Sequence, residues 1–347
     1  MRNVRRSGSA GVCWLLFLLA ACGDDSVLAP TRQDLVDRLF SPPRASEVAS
    51  ALEMFAGRRI QSAPDGLTIV DTRSESFADL SLVSYRSTDG LRIYGVIAAP
   101  KEPGSYPILL YNHGGDNGLS PAELNHPLAA GFVQVASSFR SEPVRWYGTE
   151  YRSDGPASPW DRDVDDALIL FANARDWLEG DPDRAMVLGA SRGGGVALLA
   201  AARRPDWFRG AIDIFGPTDL FDPVWRPMAD SLAAGGSDTR PGMDFFRDDI
   251  VLPYLDGSLS LVDARLGLIR RSSLYFADRL PPVQIHHGEE DNVVPPSQSA
   301  RLAEKLESLG SFHEYFTYPD MGHEFPLGPL QIPRIILFAE NLLRAGF

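Results

Sequence analysis

The stretch from residue 184 to residue 202 constrains this chain more than any other. Arg184-Ala185-Met186-Val187-Leu188 is a short apolar run of strand type, and Val196 to Ala202 is an Ala/Leu run of helix type. Between them stands Gly189-Ala190-Ser191-Arg192-Gly193, a Gly-x-Ser-x-Gly sequence. A serine there is held at the tip of a sharp strand-to-helix bend with its hydroxyl exposed. Side chains in place of the flanking glycines would crowd the turn. The pattern is short enough to recur by chance, so its weight comes from the strand before it and the helix after it.

The rest of the chain keeps the same rhythm. Ser81 to Arg86 and Leu91 to Ala98 read as an antiparallel pair around Thr88-Asp89-Gly90. Pro107–Asn112, Phe132–Ser137, Ala211–Phe215, Pro282–His286 and Glu314–Tyr318 read as further strands. Asp161–Glu179, with Asp161 as N-cap, Ser297–Leu309 and Ile332–Leu343 read as helices. This alternation predicts an α/β fold, a mostly parallel sheet with helices on both faces. Between residues 217 and 279 a long stretch replaces the usual short crossover. It reads as a mainly helical insertion, and its Trp225, Phe245, Phe246, Tyr254 and Tyr275 suit a lid or pocket wall.

The N-terminus has the layout of a targeting segment. Arg2, Arg5 and Arg6 precede an apolar run, Val12 to Ala21, too short to span a bilayer. It ends Leu19-Ala20-Ala21-Cys22, which resembles a bacterial lipobox. On that resemblance residues 1–21 are a signal peptide and Cys22 carries a lipid anchor. By the same resemblance Gly23, where an aspartate would retain the protein at the inner membrane, implies an extracytoplasmic protein, of the outer membrane if the cell has one. Cys13 and Cys22 are the two cysteines, so the mature chain is expected to have no disulfide. Residues 22–78 are read as a tether and N-terminal extension, with helical spacing over residues 45–56. The net charge of -13 and the lack of a Lys/Arg-rich block argue against a nucleic-acid partner.

A serine hydroxyl needs an adjacent base, and the base needs a third group to hold its tautomer. His287-Gly288-Glu289-Glu290-Asp291-Asn292-Val293-Val294-Pro295 places Asp291 in a loop after one expected strand, and Pro319-Asp320-Met321-Gly322-His323 places His323 after the next. Serine, acid and histidine then meet at the carboxyl edge of a parallel sheet, where such sheets put their ligands. Glu289, Glu290 and Asp320 are the competing acids. The developing oxyanion needs donors. The N–H of Arg192 is one, and the loop Asn112-His113-Gly114-Gly115 offers Gly114 or Gly115 as another. His113 is read as fixing that loop. Two metal readings fail. His286 and His287 are adjacent on a strand and point to opposite faces. Asp161-x-Asp163-x-Asp165 starts like a calcium loop, but has Asp166 at position six and Ala172 at position twelve. No metal or cofactor is expected.

These segments together resemble the catalytic domain of the prolyl oligopeptidase family of serine hydrolases, with some features shared by the dienelactone hydrolase group. The match is carried by His113-Gly114-Gly115, the Arg140 to Trp160 loop leading into Asp163-Val164-Asp165-Asp166, the Ser191 elbow, His287-Gly288 with Asp291-x-x-Val294-Pro295, and Gly322-His323. It covers residues 79–347. The resemblance implies an α/β-hydrolase fold with Ser191 as nucleophile, His323 as base and Asp291 as its partner. Many family members carry an N-terminal β-propeller. The stretch between Cys22 and residue 79 is shorter than two blades of ~40 residues, so no propeller is expected there. The expected activity is hydrolysis of a small ester or short peptide through an acyl-serine intermediate, as a peptidase or as a carboxylesterase. The contrasting expectation is a non-catalytic binding lipoprotein.

Overall fold

The computed structural model describes residues 29–61, 66–175, 180–237, 242–323 and 328–344. The lipobox-like run and Cys22 lie outside the described residues. The chain starts with helices α1 (Arg32–Leu39) and α2 (Ala45–Gly57). Strands β1 (Thr68–Ser74), β2 (Ala78–Arg86), β3 (Arg92–Pro100), β4 (Tyr106–Asn112) and β5 (Val133–Ser137) follow, then the hairpin β6 (Pro143–Trp146) and β7 (Thr149–Arg152). Next come α3 (Arg162–Ala174), β8 (Gly180–Ala190), α4 (Arg192–Arg203) and β9 (Gly210–Ile214). Helices α5 (Arg226–Ala233), α6 (Leu252–Asp256) and α7 (Leu261–Ile269) precede β10 (Val283–Gly288), α8 (Ser297–Leu309), β11 (His313–Tyr318) and α9 (Ile332–Arg344).

Among the described residues nine strands form one sheet in the order β1-β2-β3-β5-β4-β8-β9-β10-β11. The edge from β1 to β5 is antiparallel, and everything from β5 to β11 is parallel. Strands β5, β9 and β10 are buried along their whole length, as expected where helices cover both faces. Ile108, Leu110, Val187, Val283 and Ile285 point into the core shared with α3, α4 and α8. The alternate residues Leu109, Met186, Leu188, Ile212 and Ile214 pack against Ile335, Phe338 and Ala339 of α9. This period of two makes the sheet the central layer of three. Among the described residues no helix is long and apolar enough to cross a membrane.

The domain boundary expected at residue 79 falls inside the packed unit. Strand β1 pairs with β2 at the sheet edge, and Val36, Leu39 and Ala51 of the extension belong to the main core. Arg265 of α7 binds the Glu47 carboxylate at 2.7 and 2.9 Å and the carbonyls of Leu39 and Ser41 at 2.8 and 2.7 Å. That contact holds Glu47 down at about 2. The extension therefore docks on the 217–279 insertion. Among the described residues the elements of that insertion are helical.

The α3 start also differs from expectation. Asp161 occupies the N-cap position but makes no side-chain cap bond. Its carboxylate faces Arg58 at 2.5 Å, Arg270 at 3.0 Å and Arg271 at 3.6 Å. With Arg203 at 3.8 Å, four guanidinium groups compete for oxygens that would otherwise accept backbone N–H bonds.

Candidate active site

The site grows from the bend between β8 and α4. Ser191 sits there at φ 54° and ψ -122°, outside the usual regions for a side chain of L configuration. Its N–H donates to the Ile214 carbonyl at 2.8 Å, which ties the bend to β9. The glycines are demanded by close approach. A Cβ on Gly189 would lie 2.0 Å from the Gly193 carbonyl oxygen, and one on Gly193 would lie 2.0 Å from that of Asn112. Backbone cannot give way by such distances, so the strained bend survives because its surroundings fix it.

Three of the residues singled out in the sequence come together here. Ser191 Oγ is 2.8 Å from His323 Nε2, and His323 Nδ1 is 2.7 Å from Asp291 Oδ2. Asp291 follows β10 and His323 follows β11, so adjacent parallel strands deliver both to the carboxyl edge. Burial works against the Asp291 charge, but His287 and His323 outweigh it and hold the carboxyl well below the usual range. Its Oδ1 also accepts the N–H groups of Val293 and Val294, each at 2.9 Å. Glu289, Glu290 and Asp320 are exposed, and Glu289 is taken by the Thr317 hydroxyl.

His286 and His287 are buried and point apart. His286 lies 2.7 Å from the Tyr318 hydroxyl and 2.9 Å from Gln284 Oε1, and burial lowers it to about 3. His287 lies 2.6 Å from the Ser299 hydroxyl, 2.8 Å from the Val294 carbonyl and 3.3 Å from Asp291 Oδ2. His113 stacks on Phe139 at 4.1 Å, and burial lowers it to about 3, which leaves it neutral.

Gly114 lies against the bend. A Cβ there would stand 3.1 Å from the Ala190 carbonyl oxygen and 3.4 Å from the Ser191 Cβ. Gly114, Gly115 and Arg192 share with Ser191 and His323 a cavity of about 480 Å³. The first N–H groups of α4, that of Arg192 included, have no acceptor within the helix. The cavity walls are apolar: Trp160, Phe215, Pro217, Trp225, Met243 and Val294. Larger grooves of about 620 and 510 Å³ meet at Arg58 and Arg59, and no triad residue lines them.

Of the aromatic residues expected in a lid or pocket wall, Trp225 lines this cavity, beside Met243 of the same insertion, and the other four do not. Phe245 packs behind the wall, edge-on to Trp160 at 5.4 Å. Phe246 is fully buried against Phe40 of the extension at 6.3 Å. Tyr254 is buried, and the Tyr275 hydroxyl donates to Asp219 at 2.8 Å.

One group was not found from the sequence. The Arg192 side chain is buried, with Nη2 2.6 Å from Asp163 Oδ2 and Nη1 2.5 Å from Glu142 Oε1. Glu142 had no local signal. Asp163 carried one, as part of an acidic helix start, but its partner stands 29 residues away.

Comparison with known proteins gives the same frame. A family model of the alpha/beta hydrolase fold matches residues 109–327. The chain is 31% identical over 138 residues to dipeptidyl peptidase family member 6 of Caenorhabditis elegans, covering 40% of this chain and 17% of that protein. It is 26% identical over 253 residues to an uncharacterized peptidase, YtmA, of Bacillus subtilis (strain 168), covering 72% of this chain and 87% of that one. Its fold is like that of acetyl xylan esterase 1 from Thermoanaerobacterium sp. JW/SL YS485, with a TM-score of 0.62 at 23% identity, over 89% of this chain and 98% of that one.

Proposed function

This chain belongs to the alpha/beta hydrolase fold family, and on that premise we propose that it is a serine hydrolase acting on a small ester or short peptide. The observation that carries this reading is the unbroken chain of contacts from Ser191 through His323 to Asp291 at the wall of an apolar cavity. Asp291 accepts a hydrogen bond from the Nδ1–H of His323, which keeps that proton on Nδ1 and leaves Nε2 free to accept one. As the Ser191 oxygen attacks the substrate carbonyl, Nε2 takes its proton, and Asp291 stabilises the imidazolium. The N–H groups of Arg192 and of Gly114 or Gly115 receive the oxyanion. Collapse of the adduct expels the leaving alcohol or amine, which takes the proton from Nε2. A water molecule then repeats the sequence and releases the acid and free Ser191.

Among the described residues the cavity wall offers aromatic and aliphatic surface and one carboxylate, the exposed Asp116, which favours an uncharged acyl group. Relatives of both peptidase and esterase type support the choice of bond left by the residues themselves. The test is Ser191→Ala, assayed on p-nitrophenyl esters and blocked aminoacyl amides with circular dichroism alongside. Turnover should fall on the order of 10⁴-fold in a folded variant, and a fluorophosphonate probe should label the wild type alone. Undiminished turnover in folded Ser191→Ala would refute the reading. An unlabelled, inactive wild type would favour a binding lipoprotein.

A second part of the reading concerns location. Cys22 becomes the acylated N-terminus of a lipoprotein held on the extracytoplasmic side of a bacterial membrane, the outer membrane where there is one. The support is the Leu19-Ala20-Ala21-Cys22 run behind a basic and apolar leader. Mass spectrometry of the N-terminus should find acyl chains on Cys22, and Cys22→Ser should lose them. An unmodified N-terminus beginning at Met1 would refute it.

A further inference from the structure

The residue after the nucleophile bears a side chain that a backbone donor does not need. Arg192 is 7% exposed, yet its guanidinium sits on two carboxylates from different parts of the chain. Nε and Nη2 donate to Asp163 Oδ2 on α3 at 3.1 and 2.6 Å. Nη1 donates to Glu142 Oε1 at 2.5 Å and points to the Gly115 carbonyl at 3.5 Å. The other oxygen of Glu142 accepts the Gly118 N–H at 3.0 Å. The guanidinium also covers one ring, Phe139, 4.5 Å from its centroid, on which His113 stacks. His113 Nδ1 in turn lies 3.1 Å from the Gly114 carbonyl. The loop from His113 to Gly118 is thus held at its start, middle and end by groups that meet at Arg192.

Burying one cation with two carboxylates costs stability unless every partner is well placed, so a purely structural core would be served better by apolar residues. Oxyanion donors, by contrast, must be held in place before the charge develops. We infer that the Arg192 side chain is a positioning residue that, through Glu142, sets the spacing between its own N–H on the bend and the N–H groups of Gly114 and Gly115. Asp163 anchors the same guanidinium to α3, which keeps the bend from rotating with the loop. The inference rests on the serine-hydrolase reading and extends it to residues that touch no substrate.

The test uses the full chain in detergent with p-nitrophenyl acetate as substrate and a phenyl trifluoromethyl ketone as a mimic of the oxyanion adduct. Arg192→Lys keeps a charge but cannot span both carboxylates and Gly115. Glu142→Gln keeps a shape that still accepts the Gly118 N–H, so it decides the matter where Arg192→Lys does not fold. In each folded variant kcat should fall about 10- to 100-fold with KM within about twofold, and the ketone should weaken in step with kcat/KM. A lower melting temperature with kcat and ketone affinity unchanged would overturn the inference, because a merely structural role moves only the first. Wild-type turnover that survives Ser191→Ala would instead overturn the hydrolase reading itself, whatever the Glu142 variant does.

Discussion

Phe215 sets its ring 4.6 Å from that of His323, and it does so from a backbone held at φ 43°. Its N–H donates to the His286 carbonyl at 2.8 Å, which fixes the strained residue to β10. Ser191 and Trp160, which line the same cavity, also have positive φ, each 54°. Positive φ costs a non-glycine residue about 1–2 kcal/mol and persists only where neighbours impose it.

That pairing makes a two-part prediction. Phe215→Ala and Phe215→Gly both remove the ring that braces His323, so both should lower kcat about tenfold. The two should separate in stability, because glycine alone accepts the backbone without strain. Thermal unfolding should rank Phe215→Gly above Phe215→Ala by about 1 kcal/mol. The opposite ranking would mean that the strain has no energetic weight.

Asp291 carries the second prediction. Asp291→Asn should fold and lose on the order of 10⁴ in kcat, since an amide neither stabilises the imidazolium nor keeps the Nδ1 proton in place. Glu289→Gln, Glu290→Gln and Asp320→Asn should stay within a few-fold of wild type, because these acids are exposed and the Nδ1 of His323 is bound by Asp291. A severe loss in any of those three, measured beside Asp291→Asn, would reassign the acid.

What was legible in the sequence was what is local. Ser191, Asp291 and His323 each sit in a short motif directly after a strand, and their order in the chain, together with the family resemblance, suggested that they meet. The β-α alternation carried the sheet and its helices for the same reason. Strand β1 was missed because it lies at the edge with nearly every residue exposed, so it has no buried alternation to reveal it. The Arg192–Glu142–Asp163 cluster was missed because it joins residues 29 and 50 positions apart through tertiary contact alone. The aromatic residues of the insertion were visible, but their facing was not. Phe246 opens a π-helical turn, Phe246–Val251, which breaks the 3.6-residue period by which buried and lining faces are told apart.

The third prediction concerns Asp213, fully buried on β9, with Oδ1 accepting the Gly216 N–H at 3.0 Å and Oδ2 unpartnered among the described residues. Burial pushes this carboxyl up to about 7. A carboxyl raised in the folded state stabilises it fully below the unfolded value of about 4, and that stabilisation is lost as pH rises through about 7. Asp213→Asn keeps the shape and removes the titration. The melting temperature of the variant relative to wild type should therefore be higher at pH 8 than at pH 5. An equal difference at both pH values would show that Asp213 does not titrate between them.

The fourth prediction separates the cavity wall from the packing behind it. Met243 lines the cavity beside Ser191, whereas Phe246 is fully buried against Phe40. Met243→Ala should enlarge the space for the acyl group and shift preference toward longer or bulkier acyl chains. The shift should be ~1–3 kcal/mol between substrates, a factor of roughly 10 to 200 in relative kcat/KM, with the acetyl ester little changed. Phe246→Ala should behave differently. It leaves a void where the insertion meets the extension and should cost about 3–5 kcal/mol of stability, with no change in the ranking of acyl chains. Arg265 grips the extension from α7, so the same loss should loosen α1 and α2 and appear as faster hydrogen exchange across residues 32–57. A rank order altered by Phe246→Ala but not by Met243→Ala would place the selective wall on the other side of the insertion.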